Sequence, residues 1–156
     1  MNKETKKICF AASTGGHFEQ LMMLKPLMEK YDSFILTEKT TYKTSVKGEK
    51  MYFHQQVNRK EKLVIPKLIW NFIKSFYIFI KERPDVVVTT GVLAMIPMSV
   101  IAKKMGKKLI YIESFAKIND PTKTGKFLYK YADQFYVQWE SMLEFYPNAI
   151  FLGGIY

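Results

Sequence analysis

The chain has 156 residues, of which 48% are hydrophobic and 15% aromatic, and its formal net charge at pH 7 is +10. This length and composition predict one folded domain with its own core and exclude an intrinsically disordered chain. The excess of positive charge indicates an anionic partner, which is nucleic acid, an acidic lipid headgroup or a phosphorylated substrate.

Cys9 is the single cysteine, and it lies in the apolar run Ile8 to Ala12, where a buried thiol is expected. An intrachain disulfide is therefore excluded, and the spacing of cysteine and histidine residues predicts no metal site. The polar segment Met1 to Lys7 does not have the pattern of a signal peptide. We expect a protein that stays in the cytoplasm.

The segment Lys7 to Glu19 predicts a strand, a glycine turn and a helix. The turn consists of Ser13, Thr14, Gly15, Gly16 and His17. Its two glycines allow the backbone to approach a ligand closely, and the N–H groups that begin the next helix favour an anion, most plausibly a phosphate. His17 is a candidate general base, because histidine is the side chain best suited to proton transfer near neutral pH. A tight connection that binds no ligand, with His17 as a cap or exposed, is the alternative.

Two short strands are predicted next, at Ser33 to Thr37 and at Met51 to His54. The lysine-rich segment Glu38 to Lys50 between them predicts a surface loop or short helix. We expect His54 to end its strand as a structural residue.

The segment Leu63 to Ile80 is long and apolar, but central lysines make a membrane-spanning helix unfavourable. Lys67, Asn71 and Lys74 recur at helical spacing and share one face. Basic residues flank the segment: Arg59, Lys60, Lys62, Lys81 and Arg83. The pattern predicts a helix in a membrane interface, and a core helix that turns its lysines outward is the alternative. The predicted interface residues are Lys67, Trp70, Phe72, Lys74 and Phe76.

The second half of the chain continues the alternation of strands and helices. Predicted strands are Asp85 to Thr90, Lys108 to Ile112, Gln134 to Val137 and Ile150 to Leu152. Predicted helices are Leu93 to Ala102, with Pro97 near its start, Gly125 to Tyr131 and Trp139 to Tyr146. This alternation predicts an α/β fold with a parallel sheet and helices on both faces. The carboxyl ends of parallel strands meet at one edge, so Ser13 to His17, Thr90 and Gly91, and Glu113 and Ser114 should share one crevice.

Four strings carry a resemblance to a known family: Ser13 to His17, Thr89 to Gly91, Tyr111 to Ala116 and Ala132 to Trp139. The chain resembles the acceptor-side, membrane-recruiting subunit of two-chain glycosyltransferases, as in the UDP-GlcNAc transferase of N-glycan assembly and its relatives in capsule and exopolysaccharide synthesis. It is also similar to the N-terminal half of the single-chain GlcNAc transferase of peptidoglycan synthesis. The resemblance covers nearly the whole chain.

The resemblance implies a Rossmann-like domain over residues 1–156, equivalent to the N-terminal half of a GT-B glycosyltransferase. In the family this half binds a polyprenyl-diphosphate-linked saccharide, while a partner chain binds the nucleotide-sugar donor. The residues that would bind the acceptor diphosphate are Ser13, Thr14, Gly15, Gly16, Thr90, Gly91 and Ser114. Eukaryotic members usually begin with a transmembrane helix, which this sequence does not show. Peripheral attachment through Leu63 to Ile80 to the inner face of the cell membrane is the expected substitute.

These points lead to one hypothesis, in which the chain is a subunit of an inverting glycosyltransferase in capsule or exopolysaccharide synthesis, with little or no activity alone. His17 would be the catalytic base, and Glu113 would orient His17 or bind a sugar hydroxyl. The alternative for Glu113 is a cap or an ion pair with a lysine. No metal or other cofactor is predicted, because no Asp-x-Asp pair is present.

Two other interpretations use the same features. In the first, the chain is a non-catalytic membrane scaffold that activates a partner glycosyltransferase. In the second, the charge of +10 binds nucleic acid. However, the basic residues lie beside an apolar aromatic helix and form no known nucleic-acid-binding motif. We therefore expect no nucleic-acid partner.

Overall fold

The computed structural model describes residues 4–41, 44–58 and 60–156, which form a seven-stranded parallel sheet and five helices. The strands are β1 Glu4–Ala11, β2 Tyr31–Glu38, β3 Lys50–His54, β4 Val86–Thr89, β5 Lys108–Ile112, β6 Gln134–Val137 and β7 Ile150–Phe151. The helices are α1 Gly16–Met22, α2 Lys25–Lys30, α3 Val64–Glu82, α4 Ile96–Lys104 and α5 Lys123–Tyr129, and 3-10 turns occupy Leu93–Met95 and Glu140–Glu144. The strand order is β3-β2-β1-β4-β5-β6-β7.

The predicted α/β fold with a parallel sheet is confirmed, and β1 shows why the sequence encodes it. Its residues alternate between the two faces, and Cys9 lies opposite Phe34 of β2 and Val87 of β4. One face packs against α3, α4 and α5 through residues that include Cys9, Phe34, Phe79, Met98 and Leu128. The other face packs against α1 and α2 through Phe10, Ile35, Leu21 and Met28.

Two predicted helices differ from those observed. The first ends at Met22, because Pro26 has no N–H to continue the hydrogen-bond ladder, and a new helix begins at Lys25 with that proline in its first turn. The predicted helix over Trp139 to Tyr146 is a 3-10 turn at Glu140–Glu144. Pro97 does lie in the first turn of α4, as predicted.

The sheet face covered by α1 and α2 remains open over β4, β5 and β6. On this face Val88, Ile110, Ile112 and Tyr136, together with residues 152–155, line an apolar groove of about 320 Å³. Parallel sheets are normally covered on both faces. The groove is therefore a surface on which a further element can pack.

Helix α3 packs on the sheet through buried polar side chains as well as Ile78 and Phe79, and it turns other large apolar side chains outward. Asn71 and Ser75 are fully buried, and Glu82 is 4% exposed. The amide of Asn71 accepts from the backbone N–H of Gln55 and donates to its carbonyl, both at 2.9 Å. The outward residues are between 47% and 70% exposed: Ile65, Ile69, Trp70, Phe72, Ile73, Phe76, Tyr77 and Ile80.

The helix packs on the sheet, as the alternative of a core helix predicts, but its outward face also carries large apolar side chains. Asn71 lies on the same face of the helix as Lys67 and Lys74, as predicted, and this face is turned toward Gln55 and Gln56. A contiguous apolar surface of this kind marks a protein or membrane contact. Within residues 4–41, 44–58 and 60–156, no helix has the length and apolar character needed to cross a bilayer. Arg59, one of the predicted flanking residues, lies outside the described residues.

Candidate functional site

The glycine turn and the end of β4 meet at the carboxyl edge of the sheet, as the parallel strands predict. Nδ1 of His17 donates to the carbonyl oxygen of Thr90 at 2.8 Å, and the Thr90 hydroxyl donates to the carbonyl of His17 at 2.9 Å. Because a carbonyl oxygen only accepts, Nδ1 must carry the proton of the neutral imidazole. Nε2 then has a free lone pair, and no hydrogen-bond partner for it occurs among the described residues. This is the tautomer that a general base requires.

His17 lines a cavity of about 410 Å³ that opens at this edge. Other lining residues come from the segment between β5 and α5, which includes Lys117 and Thr122, and from Lys123 at the start of α5. Lys117 is paired with Asp120, whereas no carboxylate partner of Lys123 is found in the described ranges. One histidine and two amines therefore border a cavity large enough for a small polar ligand.

The backbone at Val92, on another wall of this cavity, adopts a conformation that valine rarely tolerates. Its φ is 78° and its ψ is 157°, a region that belongs almost entirely to glycine and costs about 1 to 3 kcal/mol elsewhere. Gly91 before it has a φ of 104°, and a Cβ there would lie 2.8 Å from the hydroxyl oxygen of Tyr111. Strained backbone of this kind concentrates at functional sites.

Glu38, at the carboxyl end of β2, is a member of this region that the sequence analysis missed. Its side chain is buried, and Oε1 accepts from the backbone N–H of Val57, which lines the His17 cavity, at 3.2 Å. Burial raises the pKa of Glu38, against the opposing effect of hydrogen bonds from the N–H groups of Val57 and Thr14. Its position at the end of a predicted strand, on the same edge as the glycine turn, was the signal that could have found it.

The predicted diphosphate-binding residues divide into accessible and buried groups. Gly15 and Gly16 are exposed, and Thr14 and Ser114 are half-buried. Ser13 is 6% exposed, Thr90 is fully buried, and the N–H of Gly91 donates to the hydroxyl of Thr89 at 3.1 Å. These last three residues are the less accessible part of the predicted set, and their role as binding groups stays a prediction. Thr90 positions His17, and Gly91 makes room for Tyr111.

Glu113 also differs from its predicted role. Its carboxylate is fully buried and accepts hydrogen bonds from neutral groups alone among the described residues. The donors are the hydroxyls of Tyr111 (3.3 Å), Thr122 (2.9 Å) and Tyr146 (2.9 Å) and the N–H groups of Ser114 (2.9 Å) and Thr122 (3.2 Å). Burial, followed by the nearby Glu113 charge, raises the pKa of both Tyr111 and Tyr146, so both hydroxyls keep their protons.

Glu113 therefore neither orients His17 nor pairs with a lysine. It connects β5 to the start of α5 and to the loop before β7. In α5, a Cβ on Gly125 would collide with its Oε2. Both of its oxygens accept hydrogen bonds, which gives Glu113 a structural role, and its catalytic role stays a prediction. No sequence pattern indicates this set of contacts, since the donors lie up to 33 positions away.

We expect Glu113→Ala to lower the free energy of unfolding by about 3 to 5 kcal/mol. The substitution leaves several buried donors without an acceptor and opens a cavity. Urea denaturation measures this loss, and Glu140→Ala, at an exposed glutamate, should change stability by less than about 0.5 kcal/mol. A Glu113→Ala protein of unchanged stability would contradict the structural role.

Comparison with known proteins assigns the chain to a family. The family model described as "Oligosaccharide biosynthesis protein Alg14 like" matches residues 8–155. The chain belongs to the Alg14-like family. One relative is the UDP-N-acetylglucosamine transferase subunit ALG14 of Candida albicans, 35% identical over 95 residues that cover 57% of this chain and 43% of the relative. The chain thus spans less than half the length of this relative.

Solved structures confirm the fold of this Alg14-like chain. MurG of Acinetobacter baumannii has a TM-score of 0.71 at 16% identity, over 87% of this chain and 42% of MurG. The UDP-N-acetylglucosamine 2-epimerase of Rickettsia bellii has a TM-score of 0.75 at 11% identity, over 97% of this chain and 46% of the epimerase. The Alg14-like chain therefore has the Rossmann-like fold of one half of a GT-B protein, and at these identities the likeness shows the fold alone.

Proposed function

We propose that this chain is the acceptor-binding, membrane-associated subunit of an inverting glycosyltransferase that extends a polyprenyl-diphosphate-linked saccharide. The observation that carries the proposal is the hydrogen bond from Nδ1 of His17 to Thr90, which leaves Nε2 free beside the cavity. Nε2 takes the proton from the attacking sugar hydroxyl. The hydroxyl oxygen bonds to the anomeric carbon of the donor sugar while the bond from that carbon to the nucleotide diphosphate breaks, which inverts the configuration.

The acceptor diphosphate is assigned to the accessible groups around this cavity. Gly15 and Gly16, which precede the cavity residue His17 in the chain, offer exposed backbone, and Lys117 and Lys123 line the cavity. Helix α1 has only seven residues, so its dipole adds less than the sequence analysis expected. Lys123 supplies the positive charge, because the charge of Lys117 is offset by Asp120. No metal or other cofactor is part of this proposal.

The exposed apolar face of α3 supports the membrane part of the proposal. Its eight large apolar side chains form one continuous outward surface, and Lys67, Lys74 and Lys81 follow one border of it. Amphipathic helices of this composition lie in the interface of an anionic bilayer. We place the chain at the cytoplasmic face of the cell membrane.

The apolar groove over β4, β5 and β6 supports a partner chain. It lies on the uncovered sheet face, and Leu152 at its rim is 81% exposed. The GT-B proteins that share this fold are more than twice as long as this chain. A separate donor-binding subunit packed on the groove would supply the other half, and the relative named as a UDP-N-acetylglucosamine transferase subunit indicates UDP-GlcNAc as the first donor to test. The capsule or exopolysaccharide context stays a prediction.

A transfer assay tests the proposal with anionic vesicles, a polyprenyl-diphosphate acceptor and radiolabelled nucleotide sugars. It compares this chain alone, its donor-binding partner alone and the two together. We expect turnover only with both chains. Turnover with the partner alone, merely increased by this chain, would instead establish the non-catalytic scaffold. That second function has one observation in its favour, because burial of Glu113 leaves His17 as the one catalytic side chain proposed from the sequence that reaches the cavity.

A further inference from the structure

A second polar cavity, separate from the His17 site, lies between the end of β3 and helix α3. Its volume is about 550 Å³, and the amines of Lys39, Lys67 and Lys74 line it together with Gln55 and Trp70. Nζ of Lys67 donates to Glu61 at 2.6 Å and to the carbonyl of Gln56 at 3.2 Å. For Lys39 and Lys74, no carboxylate partner occurs in residues 4–41, 44–58 and 60–156. The cavity therefore holds a net positive charge that nothing in the described chain neutralises.

Buried hydrogen bonds fix the walls of this cavity. Asn71 holds both backbone groups of Gln55 at 2.9 Å. His54 donates through Nδ1 to the carbonyl of Ala94 at 2.9 Å and accepts at Nε2 from Ser75 at 3.0 Å. Burial, with a smaller effect of the Lys74 charge, lowers the pKa of His54 to about 4, so this histidine is neutral at physiological pH. The positive charge of the cavity thus comes from its lysines, held on a rigid frame.

We propose that this cavity binds the phosphate group of an anionic lipid headgroup, with Lys39 and Lys74 as its cationic ligands. The position of the cavity favours a lipid over a soluble phosphate. Trp70 lines it and is 53% exposed, so its ring joins the polar cavity to the apolar face of α3. A headgroup in the cavity would place its acyl chains along that face, and indole rings favour this boundary between headgroups and acyl chains. The inference rests on the membrane-associated function proposed above.

Two double variants of equal charge test the site. Lys39→Gln/Lys74→Gln removes the two cavity amines. Lys62→Gln/Lys81→Gln removes two exposed lysines that flank the same helix outside the cavity. Both variants lose the same general attraction to a charged surface. A difference in vesicle binding between them therefore reports a discrete site. We expect binding to vesicles that contain phosphatidic acid to fall at least about tenfold more for the cavity variant than for the control. An equal loss in both variants would overturn the headgroup site.

A measurement on the unsubstituted cavity keeps the test independent of variant folding. Trp70 and Trp139 are the two tryptophans of the chain, and Trp139→Phe leaves Trp70 as the single reporter. Its fluorescence should change with short-chain phosphatidic acid below the micelle concentration and not with phosphatidylcholine of the same chain length. An equal response to inorganic phosphate would overturn the lipid as the ligand. Wild-type protein that binds no anionic vesicle would instead remove the membrane association itself.

Discussion

Replacing His17 with alanine is expected to lower turnover of the two-chain enzyme by about 10²- to 10⁴-fold, the contribution typical of a general base. The side chain is half-buried and, among the described residues, makes one hydrogen bond, to the carbonyl of Thr90. Its loss should therefore change the free energy of unfolding by only about 1 kcal/mol. Partner binding should persist, because the groove over β4, β5 and β6 does not include His17. The transfer assay with both chains measures the effect.

His17→Asn is the matched control, since it separates positioning from proton transfer. An asparagine amide can still donate to the carbonyl of Thr90, but it cannot accept a proton. If His17 is the base, both variants lose turnover to a similar extent. If its hydrogen bond merely holds the glycine turn, the asparagine variant retains turnover and the mechanism proposed here is wrong.

Replacing Ile69, Ile73 and Phe76 together with serine is expected to lower binding to anionic vesicles by at least about 100-fold. These side chains are 57%, 56% and 48% exposed on the outward face of α3. Removing each from water is worth about 1.5 to 3 kcal/mol when burial is complete, and three partly inserted side chains give several kcal/mol together. Because they contact solvent in the free protein, the variant should remain folded, and circular dichroism checks this.

The control is a triple serine variant at Met23, Met105 and Phe145, which are 46%, 50% and 41% exposed away from α3. It removes a comparable apolar area from the surface and should leave vesicle binding within about twofold. Equal losses in the two triple variants would show that binding depends on general surface hydrophobicity. The face of α3 would then not be the membrane contact.

The positions of the strands along the chain could be predicted from the sequence because the sheet is parallel and buried. Runs such as Val86 to Thr89 are rich in β-branched residues, and parallel strands bring their carboxyl ends to one edge whatever the loops contain. That argument was enough to bring His17 and Thr90 together across 73 positions. It carried no information on which groups at the edge are accessible, so it could not show that Thr90 and Glu113 are fully buried.

Helix α3 shows a second limit of sequence reasoning. Its amphipathic character was visible, but the pattern does not say which face is turned toward the sheet. Asn71, Ser75 and Glu82 face inward because they find polar partners on that side. Examples are the backbone of Gln55 and the ring of His54. Those partners come from β3 and the loop after it, and their position beneath α3 is a property of the folded chain. The groove over β4, β5 and β6 could not be predicted from the sequence either, because it also depends on how the elements pack in the folded chain.

The polar inner face of α3 also has a mechanical consequence. Apolar contacts tolerate rotation of a helix about its axis, whereas hydrogen bonds are directional. Asn71, Ser75 and Glu82 bind to Gln55, His54 and Lys7 at 2.8 to 3.0 Å, so the helix cannot roll on the sheet. A domain that rests on a bilayer through this helix would sit at one tilt, with the His17 cavity at a constant height above the acyl chains. Successive acceptors would then meet the same geometry as they diffuse in the plane of the lipid.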